Sequence, residues 1–136
     1  MLVRRLEESD VPSVHRLQTH LSYAEEGLPE AAASGVFVGV VADVGEVVGY
    51  AIAFPGDEPL LSELVVAPEW RRQGIGRRLV GAVCDRLDAD CLLVTTPEGA
   101  PAVEFYRDLG FGIERRIPGF YPDRDAVELR LDLAGE

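Results

Sequence analysis

The chain contains no lysine and no asparagine, and its only cysteines are Cys84 and Cys91. Two cysteines cannot staple a small scaffold, and their spacing fits neither a zinc-ligand pair nor a redox CxxC. They are expected to be buried thiols that pack as small apolar groups. Long apolar runs are also missing: Val36 to Ala42 and Val47 to Phe54 fall far short of the 18 or more residues that span a bilayer, which excludes a membrane segment. Met1-Leu2-Val3-Arg4-Arg5 passes straight into polar residues without an apolar signal core, so a cytoplasmic location is expected. No cluster with metal-ligand spacing is visible. His15 and His20, five apart on a predicted helix, do not share a face and read as surface or partly buried residues.

Without lysine, all 13 basic residues are arginine, set against 24 acids for a net charge of −11. That acidity has two readings. One is a surface that draws in a cationic substrate. The other is solubility in a salty cytoplasm combined with GC-rich codon usage; in molar salt the screening length falls to about 3 Å and long-range steering nearly vanishes. An acidic chain lacks the broad basic surface that duplex binding needs, so nucleic acid is not an expected partner.

What is present is ordinary globular material, 47% apolar over 136 residues, enough for one domain over residues 1–136. A strand is expected at Leu2 to Leu6. Ser9 or Asp10 then caps a helix carrying Val11, Val14, Leu17 and Leu21, and a weaker helix lies around Leu28 to Ser34. The runs Val36 to Ala42 and Val47 to Phe54 form a hairpin about Asp43-Val44-Gly45-Glu46. A strand at Leu60 to Val66 stops at Pro68, and the next helix lines up Ile75, Leu79, Val83 and Leu87. A strand at Leu92 to Thr95 follows, and then a helix opened by Pro101 that buries Ala102, Phe105, Tyr106 and Leu109. Strands at Phe111 to Ile117 and Ala126 to Leu133, around a Gly119-Phe120-Tyr121-Pro122 turn, complete the order βααβββαβαββ. The fold class is mixed α/β (α+β), a sheet with helices on its faces.

The most informative stretch is Arg71-Arg72-Gln73-Gly74-Ile75-Gly76-Arg77-Arg78. Four of the 13 arginines fall in these eight residues, uninterrupted by an acid. Gly74 and Gly76 allow close backbone approach, and the following helix start offers unpaired amides with partial positive charge. These are the parts of a pyrophosphate site, although arginine pairs also occur on plain solvated surfaces. A P-loop needs Gly-Lys-Ser/Thr and a dinucleotide fingerprint needs a third glycine where this chain has Leu79, so triphosphate hydrolysis and hydride transfer are excluded.

The run from Leu64 through Pro68 and Trp70 to Gly76 resembles motif A of the GCN5-related N-acetyltransferases (GNAT), with its Gln/Arg-x-x-Gly-x-Gly/Ala pattern. Gly99-Ala100-Pro101-Ala102-Val103-Glu104-Phe105-Tyr106 through Phe111 resembles their motif B, and the element order agrees over essentially the whole chain. Among these families the nearest pattern is the ribosomal-protein alanine and N-terminal acetyltransferase branch. The resemblance implies the GNAT fold, a mostly antiparallel sheet of six to seven strands flanked by about four helices. It also implies acetyl-CoA as co-substrate, no metal, and a primary amine as acceptor, either a peptide N-terminus or a small molecule. Arg71, Arg72, Gln73, Gly74, Ile75, Gly76 and Arg77 would then hold the pyrophosphate of coenzyme A. A bulged strand at Leu64, Val65 and Val66 would bind the pantetheine arm and polarise the thioester.

Tyr106 matches the family's tyrosine that protonates the coenzyme A sulfur; its competing role is that of a buried aromatic. The branch's glutamate base is replaced by Val94, and the asparagine that opens motif B by Gly99. Glu63, on the bulged strand, is the substitute base, directly or through water, unless it is a solvent-facing acid. Tyr121, in a Phe-Tyr-Pro-Asp turn resembling the branch's Tyr-Tyr-Pro, is a candidate substrate contact. Loss of the usual base favours amines that are already neutral. Near pH 7.4 an α-amine of pKa about 7.8 is roughly a quarter neutral and a lysine amine about 0.1%, a gap of about 3.4 kcal/mol. The alternative to an enzyme is a non-catalytic acyl-CoA-binding module. Strand exchange through the C-terminal hairpin offers a route to a homodimer.

Overall fold

A computed structural model describes residues 1–133. Its elements are β1 (Leu2–Arg5), α1 (Val11–Gln18), α2 (Leu28–Ala33), β2 (Val38–Asp43), β3 (Val47–Phe54), β4 (Leu60–Val66), α3 (Ile75–Asp85), β5 (Cys91–Pro97), α4 (Pro101–Asp108), β6 (Gly112–Tyr121) and β7 (Arg124–Asp132). The strands form a seven-stranded, mixed sheet of order β1-β2-β3-β4-β5-β7-β6. The described residues pack as two compact units, Met1–Pro55 with Ser62–Leu87, and Gly56–Leu61 with the described residues from Asp88 onward. No helix among the described residues is long and apolar enough to cross a membrane.

In the first unit β1, β2 and β3 are antiparallel neighbours. The apolar runs of β2 and β3 are buried on both faces, as expected for strands covered from both sides. Tyr50 and Ile52 join Leu6, Val14, Leu17 and Leu28 in a core with α1 and α2. On the opposite face α3 contributes Ile75, Leu79, Val80 and Val83, all buried. Gly49 is required there: a Cβ would stand 3.0 Å from the Val65 carbonyl and 3.2 Å from Leu79 Cδ1.

In the second unit β5 pairs with β7 from Cys91↔Asp132 to Pro97↔Ala126, and β6 forms the outer strand of a hairpin with β7. The parallel pairing of β4 with β5 comprises Leu60 with Leu93 and Leu61 with Val94. Pro118 lies on β6, the outermost strand, within the stretch where the register with β7 shifts between Ile117 and Tyr121.

Several expectations are corrected. Asp10 stands at the N-cap of α1 but its side chain makes no capping bond; its carboxylate turns back to the Glu7 amide at 2.8 Å and to Arg4 at 2.8 and 2.9 Å. Strand β2 begins at Val38, leaving Val36 exposed. Of the four apolar residues expected inside α4 only Tyr106 is buried, the others being half-buried. Cys91 is buried but Cys84 only partly so. The last turn lies at Pro122-Asp123, since Gly119 to Tyr121 belong to β6.

Candidate active site

Between β4 and α3 the backbone is shaped for an anion. φ is positive at Arg72 (65°) and Gly74 (81°), but not at Gln73 between them. Such alternation turns successive N–H groups toward one concave side. The Arg71 amide bonds to Pro68 O and the Arg78 amide to Gly74 O, whereas the amides of residues 72–77 have no acceptor among the described residues. Gly74 occupies the N-cap position of α3 and no side chain caps the helix, so its positive end stays open. Arg71 Nε donates to the Val66 carbonyl at 2.9 Å, tying the loop to the end of β4. The guanidinium groups of Arg72, Arg77 and Arg78 make no hydrogen bond or ion pair among the described residues. In a chain with 24 acids, three uncompensated arginines beside six open amides form a site with the charge and donors for a pyrophosphate.

Along β4, Leu64, Val65 and Val66 lie beyond Leu60 and Leu61, the two residues that pair with β5. Val65 is buried and Val66 partly so, which places apolar side chains along the same stretch.

Glu63 is buried, 3% exposed, on the face of β4 that also carries Val65, which rules out the solvent-facing alternative. Its Oε1 accepts from Tyr50 Oη at 2.8 Å and Gln18 Nε2 at 2.9 Å, and its Oε2 from the Glu25 amide at 2.9 Å. Three donors fill three of the roughly four acceptor sites of a carboxylate. Gln18 Nε2 also reaches the Glu25 carbonyl at 3.3 Å, so Glu63 and Gln18 together anchor the segment between α1 and α2. Gln18, Tyr50 and Glu25 escaped the sequence reading because no local pattern marks side chains 13 and 45 residues away as partners of Glu63.

In the second unit Tyr106 packs its ring edge-on against Phe105 and Phe111, with centroids 5.1 and 5.3 Å apart. Burial raises its phenol well above the usual range, with a smaller contribution from Tyr121. Among the described residues the Tyr106 hydroxyl has no hydrogen-bond partner, yet no buried side-chain polar atom is left without one. Tyr121 is half-buried and donates from Oη to the Thr95 carbonyl at 3.3 Å. Val94 is 3% exposed, a core residue. Gly99 adopts φ +80°, a conformation that asparagine also tolerates, so the glycine meets the backbone need while withholding a side chain.

His15 and His20 are not a pair. α1 ends at Gln18, and His15 instead meets Glu30 of α2 at 2.7 Å.

Residues 3–111 match the family described as the acetyltransferase (GNAT) family. The chain belongs to that family. It is 32% identical over 82 residues to the [ribosomal protein bS18]-alanine N-acetyltransferase of Escherichia coli, a match covering 57% of this chain and 55% of that protein. The chain thus matches about half the length of that relative. Among solved structures, Arabidopsis thaliana NAA60 in complex with acetyl-CoA superposes with a TM-score of 0.83 at 17% identity, covering 98% of this chain and 99% of the other. The ribosomal-protein-S18-alanine N-acetyltransferase from Escherichia coli gives 0.79 at 24% identity, with 99% and 96% covered. These likenesses establish the GNAT fold.

Proposed function

We propose that the chain, as one domain over residues 1–136, is an acetyl-CoA-dependent N-acetyltransferase that moves an acetyl group directly to a primary amine, at a peptide N-terminus or on a small molecule. The observation that carries the reading is the run of open amides from Arg72 to Arg77 with three unpaired arginines, in a protein otherwise strongly acidic. Arg71, Gln73, Gly74, Ile75 and Gly76 complete that loop. Coenzyme A fits it: a pyrophosphate takes the loop's donors, and an amide-bearing arm suits pairing with the backbone of Leu64, Val65 and Val66.

In the reaction the amine nitrogen bonds to the thioester carbon and loses a proton, the C–S bond breaks, and the thiolate gains a proton. An amide on the β4 edge polarises the carbonyl. Glu63 takes the amine proton through the acceptor site left on Oε2, directly or by way of water. Tyr106, assigned by its place in the second motif, gives a proton to the sulfur; its raised pKa keeps it a neutral O–H donor through the neutral range. Tyr121 contacts the acceptor. With Val94 in the core rather than a glutamate, α-amines are preferred over lysine side chains. The reading includes a cytoplasmic location and a homodimer through the β6–β7 hairpin, whose Ile113 and Phe120 are 52% and 53% exposed.

The same Val94 favours a second reading, an acyl-CoA-binding module without turnover. The deciding experiment is thiol release from acetyl-CoA against N-terminal peptides, polyamines, amino acids and lysine peptides, at low salt and in molar KCl. Release stimulated by an amine class supports the enzyme; binding without release across the panel supports the module. Faster reaction of lysine peptides than of α-amines overturns the stated preference. Activity confined to low salt with cationic acceptors favours electrostatic steering as the reason for the acidity.

A further inference from the structure

Glu63 sits at the inner end of a hydrogen-bonded chain whose donor directions are all determined. A carboxylate only accepts, and a backbone carbonyl only accepts. Gln18 presents one amide atom to both, at 2.9 Å from Glu63 Oε1 and 3.3 Å from Glu25 O. That atom must be nitrogen, because the reversed amide would set oxygen against two oxygens. Gln18 Oε1 therefore points the other way, 3.2 Å from His15 Nδ1. Facing an oxygen without a proton, Nδ1 must carry one. On the far side of the ring Nε2 lies 2.7 Å from the Glu30 carboxylate and must carry one too. An imidazole protonated on both nitrogens is an imidazolium.

We propose that Gln18 and His15 are positioning residues for Glu63, and that the chain Glu30–His15–Gln18–Glu63 is complete only while His15 is charged, so a partly exposed histidine governs how firmly the carboxylate is held. Neutral His15 turns a lone pair toward either Glu30 or Gln18 Oε1. If it keeps Glu30, the Gln18 amide must withdraw or flip, and Glu63 loses one of its three donors. The groups facing His15 are Glu30 from α2, Gln18 on its own helix and Glu63 from β4. Its pKa is raised, first by the hydrogen bond to Glu30, and further by the charge of Glu30, by Gln18 and by Glu63. The catalytic consequence rests on Glu63 being the base; the coupling of His15 to Glu63 stands without it.

The test is nitrogen-15 NMR titration of the histidine rings in the full chain, where His20→Gln assigns the two residues. The wild-type His15 ring is expected to be protonated on both nitrogens near neutral pH. In Glu63→Gln the new amide donates toward Gln18, which flips, and the His15 midpoint falls although the two residues do not touch. Lost charge at position 63 alone would also lower the midpoint, so the substitution is repeated in Gln18→Leu. A fall seen with Gln18 present and abolished with leucine there supports the relay. An equal fall in both backgrounds, or none in either, overturns it. On the transferase, Gln18→Leu should lower kcat by roughly tenfold to a hundredfold with little change in KM for acetyl-CoA. Absence of acetyl transfer in the wild type would overturn the enzyme reading while the NMR result still decides the relay.

Discussion

Tyr50 on β3 donates its phenolic hydrogen to Oε1 of Glu63 on β4 at 2.8 Å, and neither side chain is open to solvent. Desolvation, and then the Glu63 charge, hold the phenol proton far above its ordinary range. Tyr50→Phe keeps the ring in the core but removes a donor from a buried carboxylate. Urea unfolding should show a loss of about 1–3 kcal/mol without a change in m. A loss well under 0.5 kcal/mol would mean that water replaces the phenol.

Tyr106→Phe separates a packing role from a chemical one. The hydroxyl has no partner among the described residues, so its removal should change stability by less than about 0.5 kcal/mol. A proton donor to the departing sulfur is worth about 10²–10⁴ in rate. Thiol-release kinetics should therefore show a fall in kcat of at least about a hundredfold in a protein of unchanged melting temperature. An unchanged kcat would return Tyr106 to the role of a buried aromatic.

Arg72 is the only residue other than glycine with positive φ among those described. Arg72→Gly relieves about 1 kcal/mol of backbone strain but adds about 0.5–1 kcal/mol of unfolded-state entropy, so stability should hardly move. Coenzyme A affinity should still fall, more at low salt than in molar salt, because one guanidinium has left the loop. Calorimetric titration at two ionic strengths checks both parts, and an unchanged affinity would remove Arg72 from the pyrophosphate site.

The His15 and Glu30 pair gives stability a signed pH dependence. His15 is raised in the folded state, so its contribution is fully present below the unfolded value of about 6.5 and is lost as pH rises through the folded pKa. Glu30 is lowered, chiefly by its bond to His15, so its contribution is present above about 4.3 and lost as pH falls through its folded pKa. Wild type should therefore exceed His15→Gln most between about pH 4.5 and 6.5. The two should converge in alkaline urea melts. A difference that grows with pH would contradict the pairing.

Element type and order were legible in the sequence because they follow from short-range pattern. β-branched runs made β2 and β3, Pro101 opened α4, and Gly74 ended the loop before α3. Boundaries failed where a side chain bonded to the backbone nearby. Leu21 continues the apolar spacing of α1, yet Thr19 Oγ1 bonds to the Arg16 carbonyl at 2.7 Å and the helix ends one residue earlier. Gly119 resembles a turn residue, but its amide bonds to Asp125 Oδ1 at 2.8 Å and its positive φ accommodates a register shift inside β6.

By itself the sequence determined the family and the element order, and it marked the loop proposed to bind an anion, since glycines, arginines and a helix start within eight consecutive residues need no distant partner. Only the tertiary structure decided that Glu63 is buried. A strand alternates its side chains between two faces, and nothing within β4 says which face is covered. The answer came from α1 and β3, which deliver Gln18 and Tyr50 to the carboxylate and enclose it, an arrangement set by packing between residues far apart in the chain.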